Sequence, residues 1–202
     1  MSKIIDIIFN DMKKDKNIYF SLIIVMIISF IFGLFFISIL SDSDKSLVLE
    51  HITLYFDSIK SGSFIPNLYN NIMNNDIVVI ILWILGFSMI GFPIIISILF
   101  YKSFTLIFSI TSLIYNFRID GILISFIYIF PHLVLNLLFY FIMSFYSFKF
   151  CLNLVGSILH KNKIKSNFLK KYIIILLISI TFVTISAIYE TYILPYLIKL
   201  IY

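Results

Sequence analysis

Between Ile77 and Phe117 the chain runs for 41 residues with one charged side chain, Lys102. A single α-helix of that length would be about 60 Å long, twice the roughly 30 Å hydrocarbon thickness of a bilayer. The segment must therefore double back. Two turns compete, Gly91-Phe92-Pro93 and Tyr101-Lys102-Ser103. The first would leave the lysine inside lipid, at a cost of about 2.5–3.5 kcal/mol on insertion scales. The second puts it at a membrane surface. The spacing predicts the turn at Lys102, with Gly91 and Pro93 kinking a spanning helix whose neighbours tolerate the break.

Composition supports a membrane solvent. Hydrophobic residues make up 61% of the 202 and charged residues 12%, against about 45–50% and 25% in soluble domains. The expected fold is an all-α polytopic membrane helical bundle, one membrane domain over residues 1–202. It leaves no room for a folded soluble enzyme. Membrane lipid is the expected partner of the basic residues, and the net charge of +5 needs no nucleic acid. The sole cysteine, Cys151, excludes an internal disulfide and reads as a small buried hydrophobe.

Taken in order, residues 1–16 suit an amphipathic helix lying on the cytoplasmic membrane surface. The apolar run after it, Asn17 to Leu40, outlasts a signal-peptide core and lacks a small-residue cleavage site, so it is expected to stay as the first span. Gly33 offers a close helix contact. Residues 41–76 form the expected outer segment: caps at Ser41–Asp44, an amphipathic helix through Ile59, then a loop from Ser61 to Asp76 with five asparagines. Spans at Ile77–Phe100 and Ser103–Phe117 follow, the second only about 22 Å long. Pro131 divides the next apolar stretch into a half-helix, Ile122–Phe130, that dips in and returns, and a span, His132–Leu159. A basic loop at 160–171 precedes the last span, Tyr172–Ile193, and Pro195 leads into a tail.

Five crossings with the N-terminus inside place eleven lysines on the cytoplasmic side: Lys3, Lys13, Lys14, Lys16, Lys102, Lys149 and the five from 161 to 171. Four cations, Lys45, Lys60, Arg118 and Lys199, remain outside. The positive-inside rule is met. A fully spanning Ile122–Phe130 would put the basic loop outside.

No catalytic, cofactor or metal constellation is legible, and the chain is expected not to be an enzyme. His51, His132 and His160 fall in an outer segment, mid-membrane and an inner loop. Gly86-Phe87-Ser88-Met89-Ile90-Gly91 is one residue too long for a nucleophile elbow. The candidate structural or interaction residues are Trp83, Gly86, Gly91, Pro93, Lys102, Pro131, His132, Glu190 and Pro195. Trp83 reads as packing, and His132 as a cap for backbone freed by Pro131. Glu190, near the outer end of the last span, reads as an interfacial carboxylate or a partner contact. No further acidic residue is expected at the depth of His132, which argues against a proton relay.

Trp83-Ile84-Leu85-Gly86-Phe87-Ser88-Met89-Ile90-Gly91-Phe92-Pro93-Ile94-Ile95, followed by Phe100-Tyr101-Lys102, resembles the core of the stage II sporulation protein M family. The likeness extends back to Phe32-Gly33 and residues 45–62, and forward to Ser125-Phe126, Phe130-Pro131, Glu190 and Pro195. Ser103 replaces a family glycine, and His132-Leu133 replaces a polar pair. The resemblance implies a non-enzymatic membrane member of the forespore engulfment machinery in the mother-cell membrane. There it would position two peptidoglycan-degrading partners, stage II sporulation proteins D and P. A homo-oligomer is left open. The rival reading is a permease-like subunit of a peptide or lipid exporter with a separate ATPase, suggested by the broken segment at Pro131.

Overall fold

In the computed structural model, which describes residues 2–63, 67–160 and 166–201, the long apolar segment turns back at Phe87-Ser88-Met89-Ile90. The turn lies well before the position its cation suggested, Tyr101-Lys102-Ser103. The helices are α1 (Ser2–Lys14), α2 (Lys16–Ile39), α3 (Asp42–Ser61), α4 (Leu68–Gly86), α5 (Gly91–Tyr128), α6 (Phe130–His160), α7 (Ser166–Ile188) and α8 (Leu194–Ile201), with a π-helical turn, Tyr189–Ile193, joining the last two. Among the described residues, five helical stretches are long and apolar enough to cross a membrane, beginning at Lys16, Leu68, Gly91, Phe130 and Phe168. The expected all-α bundle is present. Lysines 161, 163 and 165 of the predicted basic loop lie outside the described residues.

The turn at 87–90 forms because Gly91 lets backbone approach closely. A Cβ at Gly91 would collide with the Leu85 carbonyl, its carbon 2.7 Å away. Gly91 and Pro93 therefore start a helix instead of kinking one, and proline suits a first turn, where its missing N–H has no helical partner. Lys102 falls inside α5, not at a surface. The predicted spans Ile77–Phe100 and Ser103–Phe117 are replaced by α4 and the first limb of α5, about 40 Å from Gly91 to Phe117. Helix α4 begins at Leu68, so the asparagine-rich stretch expected to be loop is mostly helical.

At Arg118 the backbone leaves the helix (φ 53°, ψ −121°), a conformation in which side chains other than glycine's are strained. The chain reverses there. Gly121 lies against Leu113 and Ile114, with a Cβ position 2.9 Å from the Ile114 Cα, although eight residues of straight helix would separate Gly121 from Leu113 by about 12 Å. Residues 119–128 form the half-helix foreseen before Pro131, about 15 Å long. Gly121, Ile124 and Ser125 face protein, while Ile119, Leu123 and Phe126 are exposed. Apolar exposure of this kind also runs along α2 at Phe20, Ile24, Ile31 and Phe35, which suits a lipid solvent.

The bundle has two distinguishable ends. At one, α1 is fastened down: Asp11 pairs with Lys171 and Asp15 with Lys149. The Tyr146 hydroxyl donates to Asp11 at 2.8 Å. The 87–90 turn lies at this end too, since the Cys151 thiol donates to the Ser88 carbonyl at 3.2 Å. At the other end α3, capped by Ser41 and ended by Gly62 with φ 77°, packs on the Arg118 reversal and α8. Phe56, Ile59, Leu113, Ile124, Ile129, Leu194 and Ile198 form that second apolar core. Between the ends, α2 packs closely on α5 through Gly33, whose Cβ position lies 3.1 Å from Ile107 and from the Phe104 carbonyl.

Candidate functional site: a polar seam inside the bundle

Helix α4 carries Asn71 and Asn75 one turn apart on one face, with Asp76 on the next position. Each finds a partner on the last spanning helix. Asn71 donates to the Thr191 hydroxyl at 3.0 Å, and Asn75 to the Glu190 carboxylate at 3.3 Å. The Thr184 hydroxyl donates to the Asp76 carboxylate at 2.9 Å. Helix α6 closes the third side. The Tyr140 hydroxyl donates to the Asn75 carbonyl at 3.2 Å, and Ser186 donates to the His132 carbonyl at 3.0 Å. Lys102 of α5 places its ammonium 5.7 Å from the Tyr140 ring centre.

The seam lies deep. Gly86 and Tyr172 meet at the α1 end. Asp76 is about 15 Å along α4 from Gly86, and Thr184 about 18 Å along α7 from Tyr172. Half of a 30 Å hydrocarbon layer separates the Asp76–Thr184 contact from that end. Asp76 is 9% exposed and Asn136 1% exposed.

Local sequence explains the geometry around Glu190. Pro195 has no N–H to give the helix and its ring crowds the carbonyl four residues earlier. The helix widens into the π turn, where the Leu194 N–H bonds back to the Tyr189 carbonyl. Such turns re-aim side chains and are frequent at functional sites. Here the widening contains Glu190, and the helix continues into α8 where a tail was expected. His132 is buried, with its ring 6.0 Å from Tyr128 and 6.5 Å from Tyr189. Pro131 occupies the second position of α6, where a missing N–H is tolerated.

Of the residues singled out from sequence, the seam brings together Lys102, His132 and Glu190. Trp83 and Gly86 lie elsewhere, in an aromatic knot with Tyr172: the Trp83 and Tyr172 rings stack at 5.9 Å and Trp83 meets Phe87 edge-on at 4.9 Å. Gly91 and Pro93 belong to the turn. Asp76, Asn75, Asn136, Tyr140 and Thr184 were missed. The expectation of no second acid at depth is overturned by Asp76, assigned from sequence to the end of a loop. The spacing of His132, Asn136 and Tyr140, one helical turn apart, was the available signal.

Magnitudes show what the seam must do. Hydrogen bonds between helices in membranes contribute about 0.6 kcal/mol on average, and about 1.7 at most. An acid near the bilayer centre costs about 2.5–3.5 kcal/mol. One threonine does not offset the Asp76 carboxylate. Ionisable groups kept at such depth mark functional positions. Among the described residues no three His, Cys, Asp or Glu side chains cluster in a metal-binding arrangement.

Five apolar spans, a re-entrant half-helix and a carboxylate-containing seam define a polytopic α-helical membrane protein with a polar interior. Residues 22–195 match the family described as Stage II sporulation protein M. The chain belongs to that family and is a sporulation-related membrane protein. No curated protein and no solved structure matched it.

Proposed function

We propose that this chain is a non-enzymatic scaffold of the engulfment machinery, seated in the mother-cell cytoplasmic membrane, with its N-terminus inside and C-terminus outside. It positions the peptidoglycan-degrading stage II sporulation proteins D and P. The observation that carries this reading is the second apolar core. Three segments far apart in sequence, α3, the Arg118 reversal and α8, share one end of the bundle. Together they make a composite face on the side where wall-degrading partners act. Its α3 component presents Leu47 and Leu54 beside Glu50 and Asp57. With Lys102 removed to the bundle interior, ten cations against four still favour this orientation.

The test is co-purification of proteins D and P from detergent extracts with the full chain. Leu47→Asp/Leu54→Asp should reduce capture while membrane level is kept. Capture no better than by an unrelated membrane protein overturns the reading. A second reading, a permease-like subunit working with a separate ATPase, is favoured by the polar seam and the broken helices, since half-helices line pathways. ATP-dependent peptide or lipid flux in vesicles carrying both proteins would select it.

A further inference from the structure

The seam has a centre that its hydrogen bonds leave unfinished. Asn136 is 1% exposed, and neither its amide nitrogen nor its amide oxygen has a hydrogen-bond partner among the described residues. Asp76 has one buried carboxylate oxygen, Oδ1, in the same condition, while Thr184 takes the other. Buried amides and carboxylates are ordinarily satisfied.

Both unsatisfied groups sit at one depth and on facing surfaces. On α7, Thr184 lies between Phe182, whose ring stacks on Phe139 at 4.6 Å, and Ser186, which bonds the His132 carbonyl. The stretch of α7 that holds Asp76 is therefore opposite residues 132–139 of α6, and Asn136 is in the middle of that range. Its direction follows from helix geometry. Tyr140, one turn on, reaches Asn75 of α4, and Ser147, three turns on, meets Tyr172 of α7. Asn136 shares their face and points into the junction of α4 and α7.

We propose that Asp76 and Asn136, with a neutral oxygen from Thr184, form a binding site for an alkali-metal cation at the centre of the bundle. The donors are all hard oxygens, without thiolate or imidazole, which suits hard cations. One carboxylate balances one positive charge. A divalent ion would bring a second charge into the membrane interior and call for six to eight oxygens or a retained water shell. The other charged groups facing the seam are otherwise engaged. Glu190 is bonded to Asn75, and the Lys102 ammonium lies over Tyr140. Tyr140 and the His132 ring, with Tyr128 and Tyr189 against that ring, are the other titratable groups along it.

This site goes beyond the docking role and is tested apart from it. The full chain, purified in detergent, is melted in NaCl, KCl and choline chloride at equal ionic strength. Na+ or K+ should raise the melting temperature saturably over choline, and the stronger of the two identifies the ion. Asp76→Asn should abolish the alkali response, and Asn136→Leu should raise its half-saturating concentration at least tenfold. Glu190→Gln should retain it. Identical melting in the three salts overturns the proposal, as does an alkali response that survives Asp76→Asn. Stabilisation in choline on acidification alone, with no alkali effect, assigns the site to a proton and overturns it too. Where Asp76→Asn fails to fold, an unchanged half-saturating concentration in Asn136→Leu overturns the proposal and a raised one supports it.

Discussion

The Tyr172 hydroxyl occupies the space in which a side chain at Gly86 would begin. It donates to the Trp83 carbonyl at 2.7 Å and lies 2.9 Å from the Ser147 hydroxyl, tying α4, α6 and α7 at one point. A Cβ at Gly86 would also stand 3.1 Å from the Ser147 Cα, backbone that cannot swing aside. Gly86→Leu should therefore separate three helices and lower the amount of folded protein in the membrane severely. Gly86→Ala and Tyr172→Phe should couple. The phenylalanine alone loses about 0.6–1.7 kcal/mol of intramembrane hydrogen bonding, but it removes the atom the alanine strikes. Melting temperatures of the two singles and the double in detergent measure this; strictly additive losses would disprove the contact.

The α1 clamp should respond to acid in a definite direction. Burial pushes the Asp11 carboxyl up, but hydrogen bonds from Lys171 and Tyr146, with the charges of Lys171 and Lys149, outweigh it and hold the group below its ordinary range. A group lowered in the folded state favours folding above its unfolded titration and loses that contribution as pH falls through its folded value. Docking of α1 should thus be constant from about pH 7 to 5 and weaken below about pH 4. Hydrogen exchange over residues 2–14 at pH 7, 5 and 3 checks it. With each rate divided by the intrinsic amide exchange rate at its own pH, Asp11→Asn should show at pH 7 the low protection that the wild type shows at pH 3.

The prominence of these contacts bears on what residue types alone could disclose. Apolar length and lysine spacing sufficed for the number of spans and for the half-helix before Pro131. They failed at Lys102, because a cation's surface preference was weighed without knowing that Tyr140 would offer it a ring. They failed at Asp76 for a related reason. Asn70, Asn71, Asn74 and Asn75 have poor helix propensity and turn-like chemistry, and the partners that Asn71 and Asn75 find in the π turn, Thr191 and Glu190, are not legible beside them in the sequence. Glu190 was recognised, but its π turn depends on Pro195 acting backwards through the helix. A seam assembled from single residues on three helices leaves no contiguous motif.

Arg118 offers a stabilising substitution. Its positive φ serves the reversal and is strained for any side chain, by about 1–3 kcal/mol. Glycine adopts that conformation freely. Arg118→Gly should raise the melting temperature, while Gly121→Ala, three residues beyond the reversal, should lower it by driving a methyl group into the Leu113 carbonyl. A destabilised Arg118→Gly would mean that the guanidinium makes contacts outweighing the strain.

Placement of the turn at 87–90 is open to direct labelling. In a Cys151→Ser background, which removes the only native thiol, single cysteines at Ser88 and Lys102 distinguish the two hairpins. Ser88→Cys should react with a membrane-impermeant maleimide from the same side as Lys13→Cys, because α1 and the turn share an end of the bundle. Lys102→Cys should stay unlabelled from either side until detergent is added, since its position lies along α5 beside Tyr140. Ready labelling at residue 102 from outside or inside intact cells would restore the surface turn. It would also take Lys102 out of the seam, leaving Asp76 and Glu190 without a cation in the bundle interior.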